Sequence, residues 1–158
     1  MRLLFLFFIL TGSAFARIGE SPKEINSRYD KATPSAVGDA VIHEGRIIKF
    51  GQKVLYQSEG WTITAIFING KCERIQYKKT GSWTNEHVYA VLNANANDQT
   101  WSKDSPFDNS RKRWIGVGSS SADWNMVLGF DIKSDYYSKH VEKLKKRATA
   151  KSKAVPNF

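Results

Sequence analysis

Nucleophilic catalysis would have to draw on very little in this chain, which holds one cysteine, Cys72, and three histidines, His43, His87 and His140. A reactive thiol or hydroxyl needs a base within hydrogen-bond reach and a third group that orients the base. Cys72 follows Asn69-Gly70-Lys71 and so opens a strand, away from the helix N-terminus that would lower its pKa. Gly118-Ser119-Ser120-Ser121-Ala122 approaches the Gly-x-Ser-x-Gly elbow. It lacks the last glycine and lies between two alternating segments, whereas that motif needs a strand-to-helix turn, so it reads as a hairpin loop.

Metal chemistry fares no better. No two histidines lie three to five residues apart, and His43-Glu44 and Glu86-His87 are adjacent pairs whose side chains diverge. Asn93, Asn95, Asn97 and Asp98 alternate oxygen-bearing side chains as a calcium loop does, without its central glycine or closing glutamate. Gly116-x-Gly118 is half of a phosphate-binding glycine pattern and opens no helix. No cofactor and no metal are expected.

Charge is more informative. The 158 residues carry 24 Lys and Arg against 15 Asp and Glu, a net +9. Residues 139–158 hold Lys139, Lys143, Lys145, Lys146, Arg147, Lys151 and Lys153 against Glu142 alone, a net +6. Between residues 17 and 138 the balance is 16 basic to 14 acidic. The basicity therefore belongs to the C-terminal segment, which would attract anionic surfaces in a salt-dependent way or act only as a solvated end. Arg111-Lys112-Arg113-Trp114 adds a second basic cluster with an aromatic. It would serve either as a binding strip or as an edge strand guarded by charge. The candidate binding residues are thus Arg111, Lys112, Arg113, Trp114, Lys143, Lys145, Lys146 and Arg147.

The first sixteen residues read as an export signal. Arg2 precedes the apolar run Leu3 to Leu10, and Ala14-Phe15-Ala16 places small residues where a signal peptidase requires them. The run is too short to span a bilayer as a helix. Cleavage after Ala16 and a secreted or periplasmic mature chain are expected. In an oxidising compartment Cys72 has no intrachain partner, so it is either buried and inert or available to another chain. One domain over 17–138 followed by a basic helix end and tail over 139–158 is the expected organisation. Composition excludes a disulfide scaffold, a Cys-rich zinc module, a solenoid and a multidomain enzyme.

The elements that must position these residues follow from capping and period. Ser21-Pro22-Lys23-Glu24 can form a capping box that starts a short helix, and residues 31–45 then read as a loop. Three alternating segments, Lys53–Ser58, Trp61–Ile68 and Lys71–Lys79, are joined by Glu59-Gly60 and Asn69-Gly70, with Ile47–Phe50 a further strand before them. Trp61, Ile63, Ala65 and Phe67 share one face of the middle strand, and the other face is also partly apolar. Thr84 caps a helix to about Ala96. Lys112–Val117 and Trp124–Ile132 form a hairpin, and Ser134 caps a last helix through about Arg147. Tight turns in place of helical crossovers require antiparallel strands. The expected fold is α+β, an antiparallel meander of five to six strands with two to three helices packed on one face.

Arg17-Ile18-Gly19-Glu20-Ser21, Ser27-Arg28-Tyr29, Gly60-Trp61, Phe67-Ile68-Asn69-Gly70-Lys71 and Asn93-Ala94-Asn95 occur in this order. Together they make the chain resemble a family of short exported bacterial proteins without an assigned function. In that family Arg-Tyr is followed by Gly-x-Pro, where this chain has Asp30 and Lys31. The helix-then-meander layout is also similar to beta-lactamase-inhibitor-protein and outer-membrane-assembly-lipoprotein modules, whose sheets present a protein-binding face. That likeness implies a layout and not a function.

These readings point to an exported, non-enzymatic module that binds an unidentified protein or an anionic envelope polymer, with nucleic acid a lesser partner. Several of the aromatic residues of the mature chain are then expected on an exposed binding face. Two other classes compete with it. A small hydrolase would hold His87 and a carboxylate in one concavity, and a purely electrostatic binder would act through the C-terminal segment alone.

Overall fold

The computed structural model describes residues 16–29, 32–35, 37–96, 100–103, 111–116, 120–125 and 127–153. The export signal up to Phe15, and Asp30, Lys31, Asn97, Asp98, Val117, Gly118 and Ser119 named above, lie outside them. The described residues form, in order, helix α1 (Pro22–Asn26), strands β1 (Ala32–Pro34), β2 (Asp39–His43), β3 (Arg46–Phe50), β4 (Gln52–Ser58), β5 (Trp61–Ile68) and β6 (Lys71–Lys79), and helix α2 (Asn85–Ala94). Strands β7 (Trp101–Lys103), β8 (Arg111–Gly116), β9 (Ser121–Asn125) and β10 (Gly129–Lys133) and helix α3 (Asp135–Lys153) follow.

Among the described residues, eight strands form one sheet in the order β1-β4-β5-β6-β10-β9-β8-β7, and β2 and β3 form a separate ribbon. Every described pairing is antiparallel. The α+β class therefore holds, with more strands than the expected five to six. The capping box of α1 is present, with Ser21 N–H donating to the Glu24 carboxylate at 2.7 Å. Glu59-Gly60 and Asn69-Gly70 turn the meander at positive φ (43° and 81°, 52° and 77°), as a primed hairpin turn demands.

Three expectations need correction. Residues 31–45 are not one loop, because they include β1 and β2. Glu44-Gly45, at φ 49° and 71°, turns the ribbon in the same way that Glu59-Gly60 turns the meander. Trp124–Ile132 is not one strand either. Asn125 Oδ1 accepts from the backbone N–H groups of Val127 and Leu128 at 2.9 and 3.0 Å, and the chain reverses there. Gly129 then enters β10 at φ 88°, so close to the Tyr77 carbonyl that a Cβ would stand 2.2 Å from it. Finally, the helices do not share a face.

That last point follows from β5. Ile63, Ala65 and Phe67 pack with Ile75, Tyr77, Phe130 and Ile132 of the neighbouring strands and with Ile25 of α1 and Val88, Val91 and Leu92 of α2. Ile66 and Ile68 face the other way and pack against Phe50, Tyr137 and Val141, which places α3 on the opposite side of the sheet. Both faces of the strand are apolar because both are covered. A bulge adjusts the register. Ile66 pairs with Arg74 while Phe67 pairs with Cys72, so Glu73 is the extra residue. The Glu73 carboxylate accepts from the Ser134 hydroxyl, and Ser134 Oγ in turn accepts from Tyr137 N–H at 2.9 Å, which caps α3 and ties its start to β6.

Candidate functional site

Beyond the reach of α3, the strands β10, β9 and β8 leave the same face of the sheet open. Alternation along β8 turns Arg111 and Arg113 to this face, together with Asp123 and Asn125 of β9 and Asp131 and Lys133 of β10. Arg74 and Gln76 of β6 complete the row. Ion pairs run across it in alternating sign. Arg113 Nε lies 2.6 Å from Asp123, Lys133 Nζ 3.1 Å from Asp131 and 3.9 Å from Asp123, and Arg74 binds Asp131 with two hydrogen bonds of 2.9 and 3.0 Å. The row lines a concavity of about 360 Å³, in which Arg74, Arg111, Arg113 and Lys133 outnumber Asp123 and Asp131. Such a hollow favours an anion.

The four-residue cluster Arg111 to Trp114 is divided by the same alternation. Lys112 turns to the α2 side, its Nζ 5.5 Å above the Trp124 ring and 3.2 Å from Asn85 Oδ1. Trp114 is buried, stacked on Phe130 with centroids 5.5 Å apart, so it is a core residue and no binding contact. The expected aromatic binding face is corrected in the same way. Trp114, Trp124, Tyr29, Tyr56, Tyr77, Tyr137, Phe67 and Phe130 are buried, and among the described aromatics Tyr89 and Tyr136 alone are exposed.

At the border between the open and covered halves stands Arg74. Its Nη1 donates to Asp39 at 3.1 Å and to the Tyr137 hydroxyl at 3.0 Å, and Tyr137 donates to Asp39 at 2.6 Å. Burial disfavours the guanidinium charge, but the Asp131 hydrogen bonds and charge, with Tyr137 and Asp39, outweigh it and raise the pKa above its ordinary value. Burial also pushes the Tyr137 hydroxyl up, and its hydrogen bond to Asp39 adds to this. The network joins the base of the ribbon, β6, β10 and α3.

The second basic surface is α3, which runs past the expected end near Arg147 to Lys153. Tyr137, Val141, Leu144 and Ala148 make its inward stripe. Lys139, Lys143, Lys146 and Arg147 line a shallow hollow with Glu142 and Ala150 on the far side. Lys139 pairs with Asp135 at 2.5 Å and Lys146 with Glu142 at 2.8 Å, so part of this charge is offset along the helix. Lys145 faces the ribbon instead, beside His43 and Thr149.

The nucleophile and ligand candidates are engaged elsewhere. Cys72 is fully buried, and burial followed by the Glu20 and Glu73 charges holds its thiol protonated far above the usual range. His87 closes the cap of α2, its Nδ1 accepting from Thr84 N–H at 3.1 Å, while His43 bonds to Thr149 at 2.8 Å and His140 packs on Phe50. Asn95 is a buried staple. Its Oδ1 accepts from Ile18 N–H, and its Nδ2 donates to the Tyr77 hydroxyl and the Val91 carbonyl. Among the described residues no group of three or more His, Cys, Asp and Glu side chains could hold a metal ion.

The sequence reading placed Arg111 and Arg113 but missed Arg74, Asp123, Asp131 and Lys133. The signal was present in the polar positions that alternate with Trp124, Phe130 and Ile132. Comparison with protein-family models, with curated proteins and with solved structures finds no match.

Proposed function

We propose that this chain is an exported, non-enzymatic binding module that engages an anionic polymer of the cell envelope, secreted or periplasmic after removal of its leader. The observation that carries the reading is the open half of the sheet, where the cations Arg74, Arg111, Arg113 and Lys133 and two carboxylates line one hollow. Arg113 is 47% exposed, so a polyanion can exchange with Asp123 for its guanidinium at little cost, and Arg111 beside it is exposed. Arginines two apart on a strand stand roughly 7 Å from each other, a spacing that suits successive charges on an extended chain better than one compact ion. The outer face of α3, with Lys143, Lys146 and Arg147, offers a second contact for the same polymer.

The resemblance to short exported bacterial proteins supports the address. The engagement of Cys72 in the core and of His87 in a helix cap supports binding rather than turnover. Titration of the exported full-length chain with polyphosphate at low ionic strength should give saturable binding that salt reverses. Absence of any salt-reversible binding to polyphosphate or heparin would end this reading.

A further inference from the structure

Val127 and Leu128, adjacent in the turn from β9 to β10, are 83% and 68% exposed. Nothing in the backbone requires aliphatic side chains there. The turn is made by Asn125 Oδ1, which accepts from the N–H groups of both residues, and by Gly129 at φ 88°. Turn positions ordinarily take small or polar residues, so two neighbouring aliphatics held in water point to a use outside the fold. They also stand on a rigid mount. Gly129 approaches the Tyr77 carbonyl too closely to admit a Cβ, and Asn125 is registered against Gly129 on one side and Arg111 on the other.

Cations bracket this tip. Arg111 and Lys112 open β8 on one side of it, and Lys78 and Lys79 close β6 on the other, where the Lys78 backbone borders Gly129. Lys79 and Lys112 lie over the rings of Trp61 and Trp124 at 5.9 and 5.5 Å, contacts that leave their charge uncancelled. Glu59 in the β4–β5 turn and Glu86 beside Asn85 are fewer. A protruding apolar tip between cations is complementary to a bilayer surface, where the acyl boundary receives aliphatic side chains while anionic headgroups meet Lys and Arg.

We propose that the β9–β10 tip docks the chain on an anionic lipid leaflet, with Val127 and Leu128 entering the acyl boundary and Lys78, Lys79, Arg111 and Lys112 resting on headgroups. This goes beyond the polyanion reading, which a soluble polymer satisfies without an apolar phase, and shares only Arg111 with it. The test is sedimentation of the exported chain with vesicles of equal parts phosphatidylglycerol and phosphatidylcholine, and with phosphatidylcholine alone. Anionic vesicles should bind about tenfold more tightly than neutral ones, and Val127→Ser with Leu128→Ser should lose about tenfold on the anionic ones. Both side chains lie in water, so that variant should unfold as the wild type does and keep its affinity for polyphosphate. It shares the wild type's N-terminus, so a difference in vesicle binding belongs to the tip. A second measurement follows the tip itself. Cys72 is buried, so a solvatochromic dye can be attached through Val127→Cys, and through Lys71→Cys at the opposite end of β6 as the reference. Anionic vesicles should shift the emission to the blue at position 127 and leave it unchanged at position 71. Failure of the wild type to bind anionic vesicles would overturn the proposal, as would full binding by the serine variant or a dye at position 127 that stays in water. Tip-dependent vesicle binding by a chain that ignores polyphosphate would sustain this proposal and end the polyanion reading alone.

Discussion

On the face of the sheet turned away from α1 and α2, β5 and β6 lie beneath α3 while β8, β9 and β10 are open, and the two halves put the same residue types to different uses. In the covered half Arg74 is 19% exposed and satisfies Asp131, Asp39 and Tyr137 at once. In the open half Arg113 meets Asp123 by a hydrogen bond of 2.6 Å in front of solvent. An ion pair withdrawn from water holds elements together, because losing one partner leaves the other charge unpaired in a poor solvent for it. An exposed pair contributes little to stability, and that leaves it free to exchange partners. What decides between structure and binding is therefore the reach of α3, not the identity of the arginine.

The sharpest way to break this comparison is to remove the two arginines separately. Arg74→Met leaves Asp39 and Asp131 without their common partner. It should cost on the order of 3 kcal/mol and about 10 °C in Tm, read by urea and thermal unfolding. A loss below about 1 kcal/mol would place Arg74 with the exposed pairs and erase the distinction.

A smaller effect follows from pH. Burial raises the hydroxyl pKa of Tyr137 in the covered half, and those of Tyr29 and Tyr56 beneath α1 to about 12, against 10.0 for the free group. The folded state therefore keeps protons that the unfolded chain releases. The stabilisation is complete below about pH 10 and is lost as pH rises through the raised values. Urea midpoints should thus fall between pH 10 and 12, and Tyr137→Phe should remove part of that fall. A midpoint that stays level across this interval would contradict the burial of these rings.

Smallest of all should be the stability change in the open half. Arg111→Gln and Arg113→Gln together are expected to alter unfolding by roughly 0.5 kcal/mol or less, as exposed strand charges do. A loss comparable with that of Arg74→Met would make the open row a structural network instead.

How much of this could be read beforehand differs along the chain. The meander β4 to β6 was legible almost to the residue, because Glu59-Gly60 and Asn69-Gly70 leave the backbone few choices. The turn between β9 and β10 was not. Trp124 pairs with Phe130, both facing the α2 side, so the apolar alternation passes through the reversal unbroken and period alone cannot register it. Asn125 and Gly129 were the local signs. Of the ribbon, β3 was expected at Ile47–Phe50 while β2 escaped, because β2 and β3 leave Ile42 and Ile47 exposed on their outer side, a pattern without a clean buried face. For the site, the run Arg111 to Trp114 looked like one surface, although strand period already sends Lys112 and Trp114 to the other side. The partners Asp123, Asp131 and Lys133 come from strands that only the register brings alongside, and composition cannot supply a register.

The central claim is that the open half of the sheet, more than the helix, grips a polyanion. It is tested most directly by the salt dependence of polyphosphate affinity. Log affinity against log salt should be measured for the wild type, for Arg111→Gln with Arg113→Gln, and for Lys143→Gln with Lys146→Gln and Arg147→Gln. Each lost phosphate contact lowers the slope by about 0.7, so the sheet variant should flatten it by roughly 1.4 and bind far more weakly. The helix variant should change it less, since Lys146 is already paired with Glu142. Equal slopes in the wild type and the sheet variant, with the loss confined to the helix variant, would contradict the account.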